Sequence, residues 1–200
     1  MTPSASLILA SGSQVRARLL ADAGVPFQVE VSAVDEARAK EHFQTPTDGM
    51  ALAQHLALLK AKAVGKKFPN HFVLAADQVL TCDGRQFDKA ETTAQAAENL
   101  EFLRGKTHTL HSALCIVKDH EQIWAHQDAA HLTMRPFSDE FLTDYLHTVG
   151  DTILSSVGCY LLENTGTQLF DKIDGNYFTI LGLPLLPVLE FARLQGILKT

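Results

Sequence analysis

The stretch LILASGSQVRARLL, residues 7–20, most constrains what this chain can fold into. Its first four apolar residues, 7–10, read as a short buried strand. Ser11-Gly12-Ser13 breaks that pattern with small residues that suit a tight turn. A helical pattern follows, with Leu19, Leu20 and Ala23 on one face and Gly24-Val25-Pro26 as its stop. Arg16 and Arg18 sit in the first turns, where cations oppose the helix dipole. A bound anion relieves that conflict, held by backbone N–H groups, the serine hydroxyls and an arginine. The turn is therefore a candidate phosphate cradle. It is neither a Walker A loop nor a GxGxxG turn, and solvated surface arginines are the plain alternative.

Further along, residues 27–31 alternate like a strand. Residues 48–64 form a long helical pattern with Leu52, Leu56 and Leu59 on one side and Thr47 as its cap. Residues 72–76 read as a buried strand closed by Asp77. Residues 79–82 and 85–87 flank Asp83-Gly84, a strong hairpin signal. Thr92 and Gln95 make a capping box for a helix that ends at Gly105. Residues 107–117 and 122–134 read as two long strands joined at 118–121, and Ser138 caps a helix running to about Val149. Short elements at 160–162 and 177–181, a short helical stretch near 168–173 and a last helix from about 186 to 198 complete the chain. Long hairpins interrupt any βαβ rhythm, which favours a mixed sheet over a doubly wound parallel one.

With 200 residues, 46% of them hydrophobic and 20% charged, the chain can bury a sizeable core in one domain or two small lobes. A net charge of −6 argues against a general nucleic-acid coat protein but not against a small anionic substrate, which reads local charge. Three well-separated cysteines, Cys82, Cys115 and Cys159, lack metal spacing and suggest reduced thiols in a cytosolic protein. No secretory signal is expected. The longest apolar run, 180–189, is broken by Gly182, Pro184 and Pro187, so no membrane span is expected either.

Asp77, directly after an apolar strand, suits a general base or a ligand for a hard divalent cation, and an ordinary turn aspartate is the alternative. Asp35-Glu36 could complete a Mg²⁺ site or simply begin a solvated helix. Lys89 follows the Asp83-Gly84 hairpin closely enough to return to Asp77. Lys60 and Lys62, two residues apart on a helix, face different ways, so at most one enters a given cleft. The nine histidines show no zinc spacing: there is no HExxH, and His108 and His111 fall on opposite faces of a strand. There is no GxSxG elbow to support a serine hydrolase.

Taken in order, these segments resemble the Maf family of nucleoside triphosphate pyrophosphatases over nearly the whole chain. LASGSQVRARLL resembles the family's Ser-rich first motif, and FPNHFVLAADQVL its acid-ending strand. FDKAETTAQAAENLEFLRGKTHTLHSAL resembles its lysine, helix and histidine segment. VGCYLLENTGTQLFDKIDGNYFTILGLPL is similar to its Gly-Tyr, Gly-Asp-Tyr and Gly-Leu-Pro block. The resemblance implies a single Maf-like domain over 1–200. Its fold class is α/β, a mixed, elongated sheet with flanking helices and two lobes around a cleft, similar to inosine triphosphatases.

The resemblance also implies a Mg²⁺- or Mn²⁺-dependent split of a nucleoside triphosphate into monophosphate and pyrophosphate, by a homodimer; the thiols, the charge and the broken apolar run add the expectation of a cytoplasmic protein with no stable nucleic-acid and no membrane partner. It gives Ser11 or Ser13, with Arg16, to the phosphates, and Lys60 and Lys89 to the same charge. Asp77 becomes the base for the attacking water, Asp35, Glu36 and Asp77 the metal ligands, and Glu163 joins the catalytic set. A triphosphate carries about four negative charges, and the cation with Arg16, Lys60 and Lys89 would offer about five positive ones.

This chain departs from the pattern at Gln14-Val15, where the family has Pro and a second basic or aromatic residue. Arg18 is either a stand-in or an unrelated charge. Asp88-Lys89-Ala90 replaces the common Gly-Lys-Pro. Glu163 stands where glutamine is frequent and, with Asp77-Gln78, resembles the branch acting on 7-methyl-GTP. The competing readings are a nucleotide-binding regulator of cell division with little turnover and a phosphatase releasing orthophosphate.

Overall fold

The computed structural model describes residues 7–43 and 48–200. Strand β1 (Leu7–Leu9) leads into α1 (Gln14–Asp22), β2 (Phe27–Val29), α2 (Glu36–Glu41) and the long α3 (Gly49–Gly65). Then come β3 (Phe72–Cys82), β4 (Arg85–Phe87), α4 (Thr93–Leu103), β5 (Thr107–Lys118), β6 (Glu121–Met134) and α5 (Asp139–Val149). Tight 3₁₀ turns at Gly150–Ser155 and Thr165–Leu169 precede β7 (Phe170–Asp174), α6 (Tyr177–Ile180) and α7 (Leu185–Leu194).

The described strands form a seven-stranded sheet in the order β2-β1-β3-β5-β6-β7, with β4 also on β3. Strand β1 is parallel to β2 and β3, and the other pairings are antiparallel, so the fold is mixed α/β. Two-residue hairpins close the β3–β4 and β5–β6 pairs. Asp83-Gly84 (φ 50° and 77°) and Asp119-His120 (φ 51° and 71°) adopt the left-handed pair that such a turn demands.

The pleat sorts the core. Leu7 and Leu9 with Phe72, Leu74 and Ala76 pack against Leu19 and Leu20 of α1 and Val188 and Phe191 of α7. Ile8 and Ala10 with Val73 and Ala75 pack against Ala57, Ala61 and Val64 of α3. At the far end of β3 and β5, Leu80 and Leu110 join α4 and α5 in a separate cluster with Leu100, Leu103 and Leu142. The long strands thus tie two packed regions together.

Three expectations need correction. Asp77 does not close its strand: β3 continues through it, with Asp77 opposite Ala113 and Gln78 opposite Ser112. The polar pair mimics a break because what stops at Leu74 is only the pairing with β1. The helical stretch near 168–173 is a 3₁₀ turn followed by β7, which forms because the edge of β6 offers a ladder (Ile173 opposite Leu132) that local propensity does not reveal. The last helix ends at Leu194, stopped by Gly196 at φ 69°. Thr47 lies outside the described residues, and Asp48 caps α3 by accepting from the Ala51 N–H at 2.9 Å.

Candidate active site

On one edge, β3 pairs with β1 at residues 72–74 and with β4 at 80–82, leaving 75–79 without a strand. A cleft of about 410 Å³ occupies that gap. Because side chains alternate along a strand, Asp77 points toward α3 with Val73 and Ala75, while Gln78 points to the opposite face. The gap lets both reach one cleft.

Asp77 is buried on the cleft floor and bound to Lys60 Nζ, which also meets Glu36 Oε1 at 2.9 Å. Lys60 is there because it continues the Leu52–Leu56 stripe of α3 that faces the sheet, whereas Lys62 is exposed. Burial pushes the Asp77 carboxyl above its ordinary value, and Lys60 and Arg16 pull it back. Lys89, exposed on the cleft wall, is pushed down by partial loss of water around its ammonium and by its neighbours Arg16 and Lys60. Among the described residues it makes no ion pair.

Arg16 is held by carbonyls: Nε donates to Gly182 O at 2.8 Å and Nη1 to Ala76 O at 2.8 Å. Nη1 also meets Ser11 Oγ at 3.2 Å. Nη2 has no acceptor among the described residues. Ser13 caps α1, accepting from the Arg16 N–H at 3.4 Å, and lines the cleft beside Val15. Glu163 lines the cleft too. Its Oε1 accepts from Arg18 at 3.2 Å, and its Oε2 is buried with no partner.

The structure therefore brings Ser13, Arg16, Glu36, Lys60, Asp77, Lys89 and Glu163 to one cleft. Two expected residues are elsewhere. Ser11 sits behind Arg16 and orients it. Asp35 accepts from the Arg38 N–H at 3.0 Å as the cap of α2 and faces a separate hollow with Arg38 and His42. An N-cap carboxylate points along its helix axis, while the next residue, Glu36, projects sideways toward Lys60. Arg18 braces Glu163 at the rim. Sequence reasoning passed over Lys40, which pairs with Asp88 at the rim, and the part Gln78 plays in the cleft, since each depends on contacts between distant elements.

Around the cleft Arg16, Lys40, Lys60 and Lys89 face Glu36, Asp77, Asp88 and Glu163, so the formal charges balance. The described residues hold no group of three or more acidic, histidine or cysteine side chains placed to bind one metal ion. Glu36 and Asp77 each engage Lys60 through one oxygen, leaving the other for a ligand. Two carboxylates suit Mg²⁺, which is commonly bound by one or two carboxylates with water and substrate phosphates.

A family model described as Maf-like protein matches residues 6–194. The chain belongs to the Maf family. This Maf chain is 46% identical over 193 residues to a nucleoside triphosphate pyrophosphatase of Nitrobacter hamburgensis, covering 96% of this chain and 95% of that protein. It is 44% identical over 195 residues to a 7-methyl-GTP pyrophosphatase of Bartonella quintana, covering 96% and 97%. Among solved structures, a HAM1 protein of Coxiella burnetii superposes on it with a TM-score of 0.43 and 16% identity, covering 66% of this chain and 74% of that one. No helix among the described residues of the Maf chain is long and apolar enough to cross a membrane.

Proposed function

We propose that the cleft hydrolyses a nucleoside triphosphate to its monophosphate and pyrophosphate. Relatives at this level of identity carry pyrophosphatase names over nearly their whole length. The observation that carries the reading is the buried Asp77–Lys60 pair, with Glu36 on the same ammonium, beneath the unpaired Lys89 and the carbonyl-braced Arg16.

Water attacks the α-phosphorus and gives a proton to Asp77. The bond to the bridging oxygen breaks, and pyrophosphate leaves with the electron pair. Lys60 holds Asp77 by one oxygen and leaves the other for the proton. Arg16 Nη2, Lys89 and the α1 N-terminus at Ser13 receive phosphate oxygens, a stabilisation that commonly dominates catalysis of this kind. Glu36 would hold Mg²⁺ or Mn²⁺ against the phosphates through the oxygen that Lys60 leaves free, while the free oxygen of Asp77 is kept for the proton. The cation supplies the positive charge that a cleft with balanced charges lacks.

Of the triphosphates, 7-methyl-GTP is our first choice, because Glu163 lines the cleft and a carboxylate there suits the donor edge of a guanine base. We further propose that residues 1–200 act as a single Maf-like domain, as a homodimer. Three buried free thiols support a cytoplasmic setting. Pyrophosphate release from a panel containing 7-methyl-GTP, dTTP and UTP tests the reading. No release from any of them overturns it, and preference for dTTP or UTP overturns only the choice of base.

A further inference from the structure

We infer that Asp128 and Thr179 are positioning residues that lock the Gln78 amide with its carbonyl toward the cleft, where it accepts a hydrogen bond from the bound nucleotide. The inference rests on the nucleotide reading of the cleft. Gln78 Nε2 meets Ser112 Oγ at 2.9 Å, Thr179 O at 2.9 Å and Ile180 O at 3.2 Å. The Ser112 hydroxyl donates to the same Thr179 carbonyl at 2.9 Å. Two backbone carbonyls can be met only by the NH₂ end of an amide, since a flipped amide would set oxygen against oxygen. The orientation is therefore forced. Gln78 lines the cleft, and its Oε1 accepts from none of the described residues and is not among the sealed, unpartnered atoms.

What holds those carbonyls in place is less obvious. They belong to α6 and its exit, and α6 is a four-residue turn, too short to be stable alone. The fully buried Thr179 ties it down by donating its hydroxyl to Asp128 Oδ2 on β6 at 2.5 Å. The other Asp128 oxygen accepts from the Ala129 N–H at 2.9 Å. Asp128 makes no ion pair among the described residues. A half-buried carboxylate without a cation thus spends its charge on one threonine hydroxyl, a stronger bond than a neutral pair provides.

The test is a mutant cycle read as pyrophosphate release with 7-methyl-GTP and dTTP. Thr179→Val removes the hydroxyl at constant shape, and Gln78→Met removes the acceptor. Each is expected to raise KM about tenfold with kcat within about twofold, because a bond to bound substrate is lost in ground and transition states alike. Thr179→Ser restores KM. In a Gln78→Met background Thr179→Val costs far less than it does alone. If Thr179→Val fails to fold, Asp128→Asn, at a half-exposed site, must show the same KM rise and the same dependence on Gln78.

A Thr179 or Asp128 effect of equal size with and without Gln78, or a lowered melting temperature at unchanged KM, overturns the inference and leaves the proposed function standing. A wild-type chain that releases no pyrophosphate from any triphosphate overturns both.

Discussion

Lys60 on α3 and Asp77 on β3 form a buried ion pair on the cleft floor, and Glu36 of α2 reaches the same ammonium. The three come from separate elements, so the pair is both a structural tie and a poised carboxylate. Removing one partner of a buried pair leaves an uncompensated charge and costs about 3–5 kcal/mol. Lys60→Met is therefore expected to lose stability of that order together with activity. Lys60→Met combined with Asp77→Asn is expected to recover most of the stability and none of the activity. Denaturant unfolding alongside pyrophosphate release separates the two effects, and an equally unstable double variant would speak against the pair.

Lys89 has the opposite character. It lies beside Arg16 and Lys60 without an ion pair among the described residues, so the fold gains little from it. Lys89→Ala is expected to lower turnover about a hundredfold while leaving the melting temperature unchanged or slightly higher. Inorganic pyrophosphate should raise the melting temperature of the wild type more than that of the variant. Parallel losses of activity and melting temperature would assign Lys89 to the fold instead.

With the cleft charges balanced, the proposed reaction calls for a divalent cation. Chelation with EDTA is expected to abolish pyrophosphate release, and Mg²⁺ or Mn²⁺ to restore it. Glu36→Gln should raise the cation concentration needed for half-maximal rate without changing the unfolding midpoint much, since Glu36 is half-exposed. Full activity in EDTA would remove the cation from the account.

His108 sets a pH limit on stability. It is fully buried, and Nε2 lies 2.7 Å from Tyr160 Oη on the cleft wall. Burial lowers it from 6.5 to about 4. Between those values the unfolded chain binds the proton and the folded chain does not, so stability present above pH 6.5 is lost as pH falls toward 4. The full contribution is about 3 kcal/mol. His108→Gln should be less stable than wild type at neutral pH, with the gap closing as the pH falls through that window. A gap constant with pH would contradict this.

Much of this arrangement is legible in the sequence where the determinants are local. The strand–turn–helix at 7–22 follows from small residues between two apolar patterns, with Ser13 as the cap. Asp83-Gly84 and the 118–121 connection read as hairpins because few backbones other than a left-handed pair close them. The site is less legible because it lies in a gap between strands. Asp77 looks like the end of a strand because the polar pair is tolerated only on an unpaired edge. Asp35 and Glu36 look equivalent until the start of α2 turns one to a cap and the other to Lys60. Strand β7 and the Thr179 contacts arise from pairings across the chain that no local pattern announces.

The most direct measurement is hydrolysis of the preferred triphosphate in ¹⁸O-labelled water by wild type and Asp77→Asn, with the products resolved by mass. Attack at the α-phosphorus in this cleft predicts label in the monophosphate, unlabelled pyrophosphate, and a rate at least about a hundredfold lower in Asp77→Asn with nucleotide binding retained. Label in the pyrophosphate, orthophosphate as the first product, or a wild-type rate from Asp77→Asn would contradict it.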